Sequence, residues 1–224
     1  SHIRTDAPTG SRDALLLTIA HGAQEGWDLN SYDAATAYLQ SGNIDRLLLI
    51  RMPWKNPPPG MKPGQVVMAT GAIYGTRDAG RQWYLYARKV LAAAGLRESR
   101  LEKGLYMYYD KADGKLAAVI HSHVDDFLIA SRRSSREWSA TIKELERKLH
   151  LKPAQGDIKY CGRVLYNSAT EIRITQAAAA SQVDPVDSKT KGRTAEDKLT
   201  PEELTSYRHT LGQLLWLAMQ SRVD

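Results

Sequence analysis

The chain has 224 residues, enough to bury a substantial core, and we expect one large domain or two small subdomains. Its formal charge of +6 suits a polyanionic partner, although such an excess also occurs in proteins that bind no nucleic acid. The single cysteine, Cys161, excludes an intramolecular disulfide and cysteine-rich zinc modules. Because no apolar run reaches the roughly 18 residues of a membrane helix and no signal peptide is evident, we expect neither membrane insertion nor secretion.

Hydrophobic periodicity and turn residues predict a fold that mixes helices and strands. Helices are predicted where apolar residues recur at helical spacing: 11–25, 78–94, 134–149 and 199–220. Ser11 is expected to cap the first helix and Thr200 the last, with Pro201 at the first helical position of the last. Strands are predicted where short apolar runs lie between turn residues: 27–33, 46–52, 65–69, 104–109, 116–124, 127–130, 158–166 and 171–175. The five prolines between Pro53 and Gly64 predict a loop. The alanine-rich, then polar, stretch 177–198 predicts a frayed helix followed by a mobile linker at about 184–198.

Two adjacent aspartates, Asp125 and Asp126, interrupt apolar runs that otherwise predict a β-hairpin. Side chains alternate between the two faces of a strand, so neighbouring aspartates share one side only where the backbone turns tightly. A carboxylate pair held at a hairpin tip can bind a divalent cation. The simpler interpretation is a polar turn, because aspartate is common in turns. This segment alone leaves both interpretations open.

Four separated segments form a combined pattern. Asp33 ends a predicted strand and is followed by Tyr38, as in the first catalytic-aspartate motif of a polymerase palm. Residues 72–84 resemble the block Leu-Tyr-Gly-Leu-Lys-Gln-Ala-Pro-Arg-Ala-Trp-Tyr, and residues 123–126 read His-Val-Asp-Asp in place of Tyr-Val-Asp-Asp. Residues 207–218 resemble Tyr-Arg-Ser-Leu-Val-Gly-Ser-Leu-Leu-Tyr-Leu-Ala. Taken in order, the four segments make the chain similar to copia-type LTR retrotransposon reverse transcriptases.

The resemblance implies an α+β fold, in which a polymerase palm-like antiparallel sheet is backed by helices and followed by a reduced thumb or connection segment. Residues 1–152 would form the palm-like catalytic core, and 153–176 the end of the palm with a primer-grip-like hairpin. Residues 177–224 would form the thumb or connection segment. Compared with the family, we expect the chain to lack an N-terminal fingers section.

The resemblance also implies a metal site. Asp33, Asp125 and Asp126 would be its catalytic carboxylates and would bind two Mg²⁺ ions, with Mn²⁺ as a possible substitute. Concentrated negative charge is costly without a metal or basic neighbours, because like charges at close range oppose ionisation. That cost argues against a purely structural grouping.

Further residues match the family's substrate-binding positions. Tyr38 takes the place of an aromatic ring that excludes a ribose 2′-hydroxyl, although a core tyrosine is an equal alternative. Gly75 and Arg77 lie in the block that contacts the incoming nucleotide, where glycine permits close backbone approach and arginine meets phosphate. Arg77 could equally be a surface residue. Gly162 lies in a segment that resembles the turn holding the 3′ end of the primer.

By resemblance, the chain would be a fragment of a retrotransposon polyprotein that synthesises DNA on an RNA or DNA template from a DNA primer and dNTPs. Its partners would include the fingers and RNase H segments of the same polyprotein, with no membrane, and it would act inside the cell in a cytoplasmic particle, the nucleus or both. The chain departs from the family at His123, which replaces tyrosine, and at Asp78 and Gly80, which replace glutamine and proline.

Two alternatives compete with the polymerase interpretation. His121, His123 and Asp125 form a His-x-His-x-Asp pattern that resembles dinuclear zinc hydrolases, since alternation places all three on one face of a strand. The second alternative is a noncatalytic palm-like module that binds nucleic acid or protein within a larger assembly. It is motivated by the absence of a fingers section and by a thumb that has lost its apolar pattern.

Overall fold

The computed structural model describes residues 3–168, 171–186, 194 and 196–220. The chain divides into one unit of residues 1–155 and a second of residues 156–224. The helices of the first unit are α1 (Arg12–Gln24), α2 (Ala37–Gln40), α3 (Ala79–Ala93) and α4 (Arg136–Lys148). Its strands are β1 (Asp28–Ala34), β2 (Asn43–Arg51), β3 (Val66–Gly71), β4 (Arg97–Glu98), β5 (Leu105–Tyr109), β6 (Leu116–His123), β7 (Asp126–Ser131) and β8 (Leu151–Pro153).

An antiparallel sheet of six strands forms the centre of the first unit, in the order β4-β5-β6-β7-β1-β8. Strands β5, β6 and β7 are consecutive in the chain, whereas β1 comes from the start of the unit and lies between β7 and β8. This placement brings the end of β1 next to the β6–β7 turn. The α+β, palm-like fold class predicted from the sequence is confirmed.

Helices cover both faces of this sheet. Trp83 of α3 and Trp138 of α4 are buried in one core with Phe127 and other residues of the sheet. On the opposite face, α1 packs so closely that a Cβ added to Gly22 would lie 3.0 Å from Cβ of Ala130. The helix starts follow the predicted caps, since Ser11 accepts a hydrogen bond from the backbone of the first turn of α1. Helix α1 contacts β1, β6 and β7 on this face.

The remaining strands of the first unit, β2 and β3, form a two-stranded antiparallel sheet. Its register shifts between Asn43 and Leu48, where β2 is irregular. The loop that joins the two strands contains all five prolines of the predicted 53–64 loop. That loop prediction is therefore confirmed.

The described residues of the second unit form a three-stranded antiparallel sheet in the order β11-β10-β9 and two helices. The elements are β9 (Ile158–Tyr160), β10 (Arg163–Asn167), β11 (Ile172–Thr175), α5 (Ala177–Ala180) and α6 (Pro201–Gln220). The prediction of one strand over 158–166 is wrong, because Cys161 (φ 46°) and Gly162 (φ 72°) both adopt left-handed conformations and reverse the chain. Two short strands result instead of one.

The last helix starts as its sequence predicts. Thr200 Oγ1 accepts a hydrogen bond from the backbone N–H of Glu203, whose carboxylate accepts one from the backbone N–H of Thr200. This reciprocal pair is a capping box, and Pro201 occupies the first helical position. The predicted frayed helix is the single short helix α5. Much of the predicted linker at about 184–198 lies outside the described residues.

Candidate active site

Four paired side chains, all charged or polar, form a row across β6, β7, β1 and β8 of the six-stranded sheet, next to the β6–β7 turn. Asp33 of β1 pairs directly with Asp126 of β7, and Asp126 pairs with His123 of β6. On the other side, Asp33 pairs with Lys152 of β8. Residues paired across antiparallel strands point to the same face, so all four side chains project from one face of the sheet. The sheet register alone thus brings two of the predicted catalytic aspartates together.

The third aspartate, Asp125, lies in the turn between β6 and β7. Its carbonyl oxygen accepts a hydrogen bond of 2.9 Å from the backbone N–H of Ala34, the last residue of β1. Val124, the other turn residue, has φ 57°, which is unusual for a β-branched side chain. The indole N–H of the buried Trp83 donates a 2.7 Å hydrogen bond to the carbonyl oxygen of Val124. The turn is therefore held from β1 and from α3 at the same time.

The neighbouring carboxylates act electrostatically on Asp126. Burial raises the pKa of Asp126 above its ordinary value, and the charges of Asp125 and Asp33 raise it further. His123 acts in the opposite direction and lowers the pKa of Asp126. Among the described residues, no lysine or arginine forms an ion pair with Asp33 or Asp125. The site therefore concentrates negative charge that its protein surroundings compensate only in part.

Tyr38 connects this carboxylate group to the 72–84 block. Its ring lies 4.7 Å from the ring of Tyr74, measured between centroids. Burial raises the pKa of Tyr38, and the nearby Asp125 carboxylate contributes to the increase. The tyrosine is half-buried and packs against the core, so it has features of both interpretations given from the sequence. The structure places it between an aspartate of the turn and the segment that contains Gly75.

Gly75 follows Tyr74 in an exposed turn and has φ 87°. This conformation favours glycine, and a Cβ added there would meet nothing within 4 Å. The glycine is thus required by its backbone conformation, and the space beside it is open to a ligand. Arg77 lies two positions later and is exposed. It has the access to solvent that contact with a phosphate requires.

The next residue, Asp78, is buried and forms a bidentate ion pair with Arg46 of β2, with N···O distances of 2.8 and 2.7 Å. This pairing lowers the pKa of the Asp78 carboxyl. Asp78 stands at the N-cap of α3, yet its side chain makes no capping hydrogen bond. The residue that departs from the family's glutamine thus joins the β2–β3 sheet to the end of the Gly75 turn.

The donor chemistry of the three aspartates fits a magnesium site, since Mg²⁺ prefers carboxylate oxygens. Their mutual effect on the pKa of Asp126 is the effect that a bound cation would relieve. Among the described residues, however, no group of three or more histidine, cysteine, aspartate or glutamate side chains is placed closely enough to hold a metal ion. The structure thus shows the right donors as neighbours, and metal coordination by them remains a prediction.

In the second unit, the predicted primer-binding residue Gly162 packs against Trp216 of α6. A Cβ added to Gly162 would lie 2.6 Å from Cη2 of the Trp216 ring. Because the residue also has a left-handed φ, two independent constraints within the unit require glycine here. The identity of this residue is explained by packing. Its role in primer binding remains a prediction.

A sequence model of the family described as "Reverse transcriptase (RNA-dependent DNA polymerase)" matches residues 2–196, most of the chain. The chain belongs to the reverse transcriptase family. It is also similar to the "Retrovirus-related Pol polyprotein from transposon RE1" of Arabidopsis thaliana, with 24% identity over 132 residues. That alignment covers 57% of this chain and 8% of the polyprotein, so the chain spans a small part of its relative's length. The predicted resemblance to retrotransposon reverse transcriptases is confirmed.

For a member of the reverse transcriptase family, the zinc-hydrolase alternative has little structural support. His121 is buried, and its Nε2 lies 3.0 Å from the carbonyl oxygen of Ser11 at the start of α1. Burial lowers the pKa of His121. His123, on the same face, is exposed beside Asp126. The first histidine therefore serves the packing of α1 on the sheet. No helix among the described residues is both long enough and apolar enough to cross a lipid bilayer.

Three features of this reverse transcriptase site were missed by reasoning from the sequence. Lys152 is aligned with Asp33 because β8 pairs with β1, but a strand of three residues has no readable alternation. The hydrogen bond from Trp83 to the turn was missed because aromatic residues at helical spacing indicate core packing, and the burial of Trp83 agrees with that role. The Arg46–Asp78 pair had one sequence signal, the departure from the family at Asp78.

Proposed function

We propose that this chain is the polymerase core of a retrotransposon reverse transcriptase, which extends a DNA primer along an RNA or DNA template. The observation that supports this most is the direct pairing of Asp33 with Asp126 on neighbouring strands, with Asp125 in the adjoining turn. It occurs in a chain that matches the family over residues 2–196. Acidic residues from distant parts of the sequence thus meet where the family match predicts a catalytic site.

In this proposal Asp33, Asp125 and Asp126 hold two Mg²⁺ ions, and Mn²⁺ can substitute for them. Two Mg²⁺ ions held there would supply stabilisation of the negative charge that develops on the attacking 3′-oxygen and the leaving pyrophosphate. The protein's own contribution is to fix the carboxylates. The register of β1 and β7 fixes Asp33 and Asp126, while the hydrogen bond from Trp83 restrains the turn that carries Asp125.

The incoming dNTP would be recognised by residues around Tyr38. Its ring, held against that of Tyr74, would stand beside the sugar and disfavour a ribose 2′-hydroxyl. The open side of Gly75 would allow the nucleotide to approach the backbone, and the exposed guanidinium of Arg77 would contact a phosphate. Selection for deoxynucleotides would follow from Tyr38.

The remaining assignments concern the wider assembly. Residues 1–152 would act as the palm, 153–176 as its end with the primer-grip-like hairpin containing Gly162, and 177–224 as the thumb or connection segment. Fingers and RNase H segments of the same polyprotein would be its partners. The assembly would work in a cytoplasmic particle, the nucleus or both. Template and primer would be bound mostly through backbone charge, which makes affinity sensitive to salt.

One observation favours a second candidate, a noncatalytic palm-like module that binds nucleic acid or protein. The described acidic residues do not form a group of three or more that could hold a metal ion. In this case the charged row across the sheet would be a remnant of a catalytic site. Nucleic acid would then bind without a divalent metal, and no nucleotide would be incorporated.

Primer extension distinguishes the two candidates. We expect Mg²⁺- or Mn²⁺-dependent incorporation of dNTPs on RNA and DNA templates, and its loss in Asp33→Asn and in Asp125→Asn/Asp126→Asn. The matched control is Asp28→Asn, which changes an aspartate at the opposite end of β1 that pairs with Arg133. Control activity should equal that of the wild type.

Metal binding gives a second readout that does not depend on turnover. Titration with Mn²⁺, followed by electron paramagnetic resonance, should show sites that the Asp125→Asn/Asp126→Asn variant loses and that Asp28→Asn retains. A folded wild-type chain that neither binds Mn²⁺ at these residues nor incorporates nucleotide, even with a fingers segment supplied, would refute the catalytic proposal.

A further inference from the structure

The loop between β2 and β3 presents an exposed aromatic ring. The Trp54 side chain is 72% exposed, whereas Trp27, Trp83 and Trp138 are all buried. The most exposed tryptophan of the described chain thus lies outside both the core and the carboxylate row, the paired side chains of Asp33, Asp126, His123 and Lys152. Exposing so large an apolar ring to water is costly, because its transfer out of water is among the most favourable of all side chains. Its position therefore requires an explanation.

Trp54 is exposed but held in place. Its ring lies against Gly64, where an added Cβ would be 2.6 Å from Cη2 of Trp54. The loop is closed by a hydrogen bond of 2.8 Å from the backbone N–H of Met52 to the carbonyl oxygen of Gln65, and Met52 is buried. The five prolines restrict the loop further, because each fixes its own φ. One side of the ring thus rests on backbone while most of its surface remains accessible.

The sequence segment that contains Trp54 carries positive charge alone. The sequence from 46 to 77 contains five arginines and lysines and no aspartate or glutamate. Arg46 is paired with Asp78, but Arg51, Lys55 and Lys62 are exposed and form no ion pair with any described residue. These three lie at the end of β2 and in the loop itself. A fixed aromatic ring among unpaired cations is the combination that binds single-stranded nucleic acid, by base stacking and phosphate attraction.

We propose that the β2–β3 loop is a stacking platform for single-stranded nucleic acid, in which Trp54 stacks on a base and Arg51, Lys55 and Lys62 contact phosphates. The proposal rests on the proposed function only for the identity of the strand, which would be an unpaired template. Stacking on an aromatic ring tolerates any base, so the platform would hold strands of any sequence. That property suits an enzyme that copies a whole template.

The outer face of the β2–β3 sheet also exposes apolar side chains, including Leu47, Leu49 and Met68. A protein partner or a second copy of the chain is the competing occupant of such a surface. The charge decides between the two occupants, because Arg51, Lys55 and Lys62, with no acidic residue between them in the sequence and no ion pair among the described residues, complement a polyanion better than an average protein surface. Association between proteins is therefore an alternative outcome of the test.

The test is fluorescence anisotropy with labelled oligothymidine and an RNA of equal length, without dNTPs or divalent metal. We expect Trp54→Ala to weaken binding about 5- to 100-fold and Trp54→Phe to retain most of the affinity, because phenylalanine preserves a stacking face. Leu101→Ala is the matched control, since Leu101 is 97% exposed in the same unit. It should bind like the wild type.

The cations have a separate readout, the dependence of affinity on salt. The double variant Lys55→Gln/Lys62→Gln should reduce the slope of log K against log salt by about 1.4, if each lysine neutralises one phosphate of a single strand. All changes are on the surface, and circular dichroism will confirm that each variant is folded.

The platform is refuted if Trp54→Ala binds within twofold of the wild type, or if the wild type does not bind single strands at low salt. It is also refuted if Trp54→Ala alters self-association in sedimentation while leaving nucleic-acid affinity unchanged. Failure of primer extension with intact single-strand binding would refute the proposed function and leave the platform standing. The two proposals can therefore fail independently.

Discussion

Replacing Gly162 by alanine should destabilise the second unit through two separable effects. The first is conformational, because Gly162 has φ 72° and a left-handed conformation costs an L-residue about 1–2 kcal/mol. The second is steric, because the new Cβ would lie 2.6 Å from Cη2 of Trp216. Overpacking of this kind costs about 1–3 kcal/mol, so the total loss should be about 2–5 kcal/mol.

Gly156 provides the control that separates these effects. It has φ 77°, and a Cβ added there would meet nothing within 4 Å. Gly156→Ala should therefore show the conformational cost alone, reduced by the lower entropy of the unfolded alanine chain. The difference between the two variants, about 1–3 kcal/mol, measures the contact with Trp216. The double variant Gly162→Ala/Trp216→Leu should recover most of that difference.

The assay is urea unfolding followed by ¹⁹F NMR of protein labelled with 5-fluorotryptophan. Trp216 is the only tryptophan in residues 156–224, so its resonance reports on the second unit. The Trp216→Phe spectrum assigns that resonance, and far-UV circular dichroism follows the double variant. Equal free energies of unfolding for Gly162→Ala and Gly156→Ala, within about 0.5 kcal/mol, would show that no close contact with Trp216 exists.

Three further variants test the first unit, each by urea unfolding. Asp78→Ala should lower the free energy of unfolding by about 1–3 kcal/mol because it leaves the partly buried Arg46 guanidinium unpaired. The apolar double variant Arg46→Met/Asp78→Leu leaves no unpaired charge and should be more stable than Asp78→Ala. Equal stability of these two variants would contradict this reason. Trp83→Phe should cost about 1–3 kcal/mol because it removes the hydrogen bond to the Val124 carbonyl, and an unchanged midpoint would show that this bond contributes nothing. In EDTA at neutral pH, Asp126→Asn should increase stability by about 0.2–1 kcal/mol by removing one of two directly paired carboxylates. Because the pKa of Asp126 is raised in the folded state, the stability of the wild type falls as the pH rises above the ordinary aspartate pKa of about 3.9. The stability gained by Asp126→Asn should therefore disappear near pH 4, where the wild-type carboxyl is protonated. A gain that does not depend on pH would show that charge repulsion is not its cause.

Local patterns were sufficient to predict most elements of the first unit. The Asp125–Asp126 interruption predicted the β6–β7 hairpin, and the apolar periodicity over 134–149 predicted α4, because both patterns are determined by neighbouring residues. The strands β4 and β8 were not predicted. Each has only two or three residues and is stabilised by a partner strand that the local pattern does not identify.

Features that depend on contacts between distant residues were also missed. The reversal at Cys161 and Gly162 was expected from the family resemblance but not from periodicity, which predicted one strand, and a cysteine rarely adopts a positive φ. The ion pair of Arg46 with Asp78 joins residues on different elements, and only the tertiary fold brings them together. The meeting of Asp33 with Asp126 was expected from the family resemblance. The register that sets it became visible only in the sheet.

The carboxylate row has one more consequence, for the kinds of genetic change that this chain can tolerate. Asp33 and Asp126 share a face only while β1 and β7 keep their register, and the next pair, Tyr32 with Phe127, points to the opposite face. Inserting or deleting one residue within either strand would turn a carboxylate toward the core and a ring toward solvent. Substitutions along these strands should therefore accumulate over evolution, while changes in their length should be eliminated.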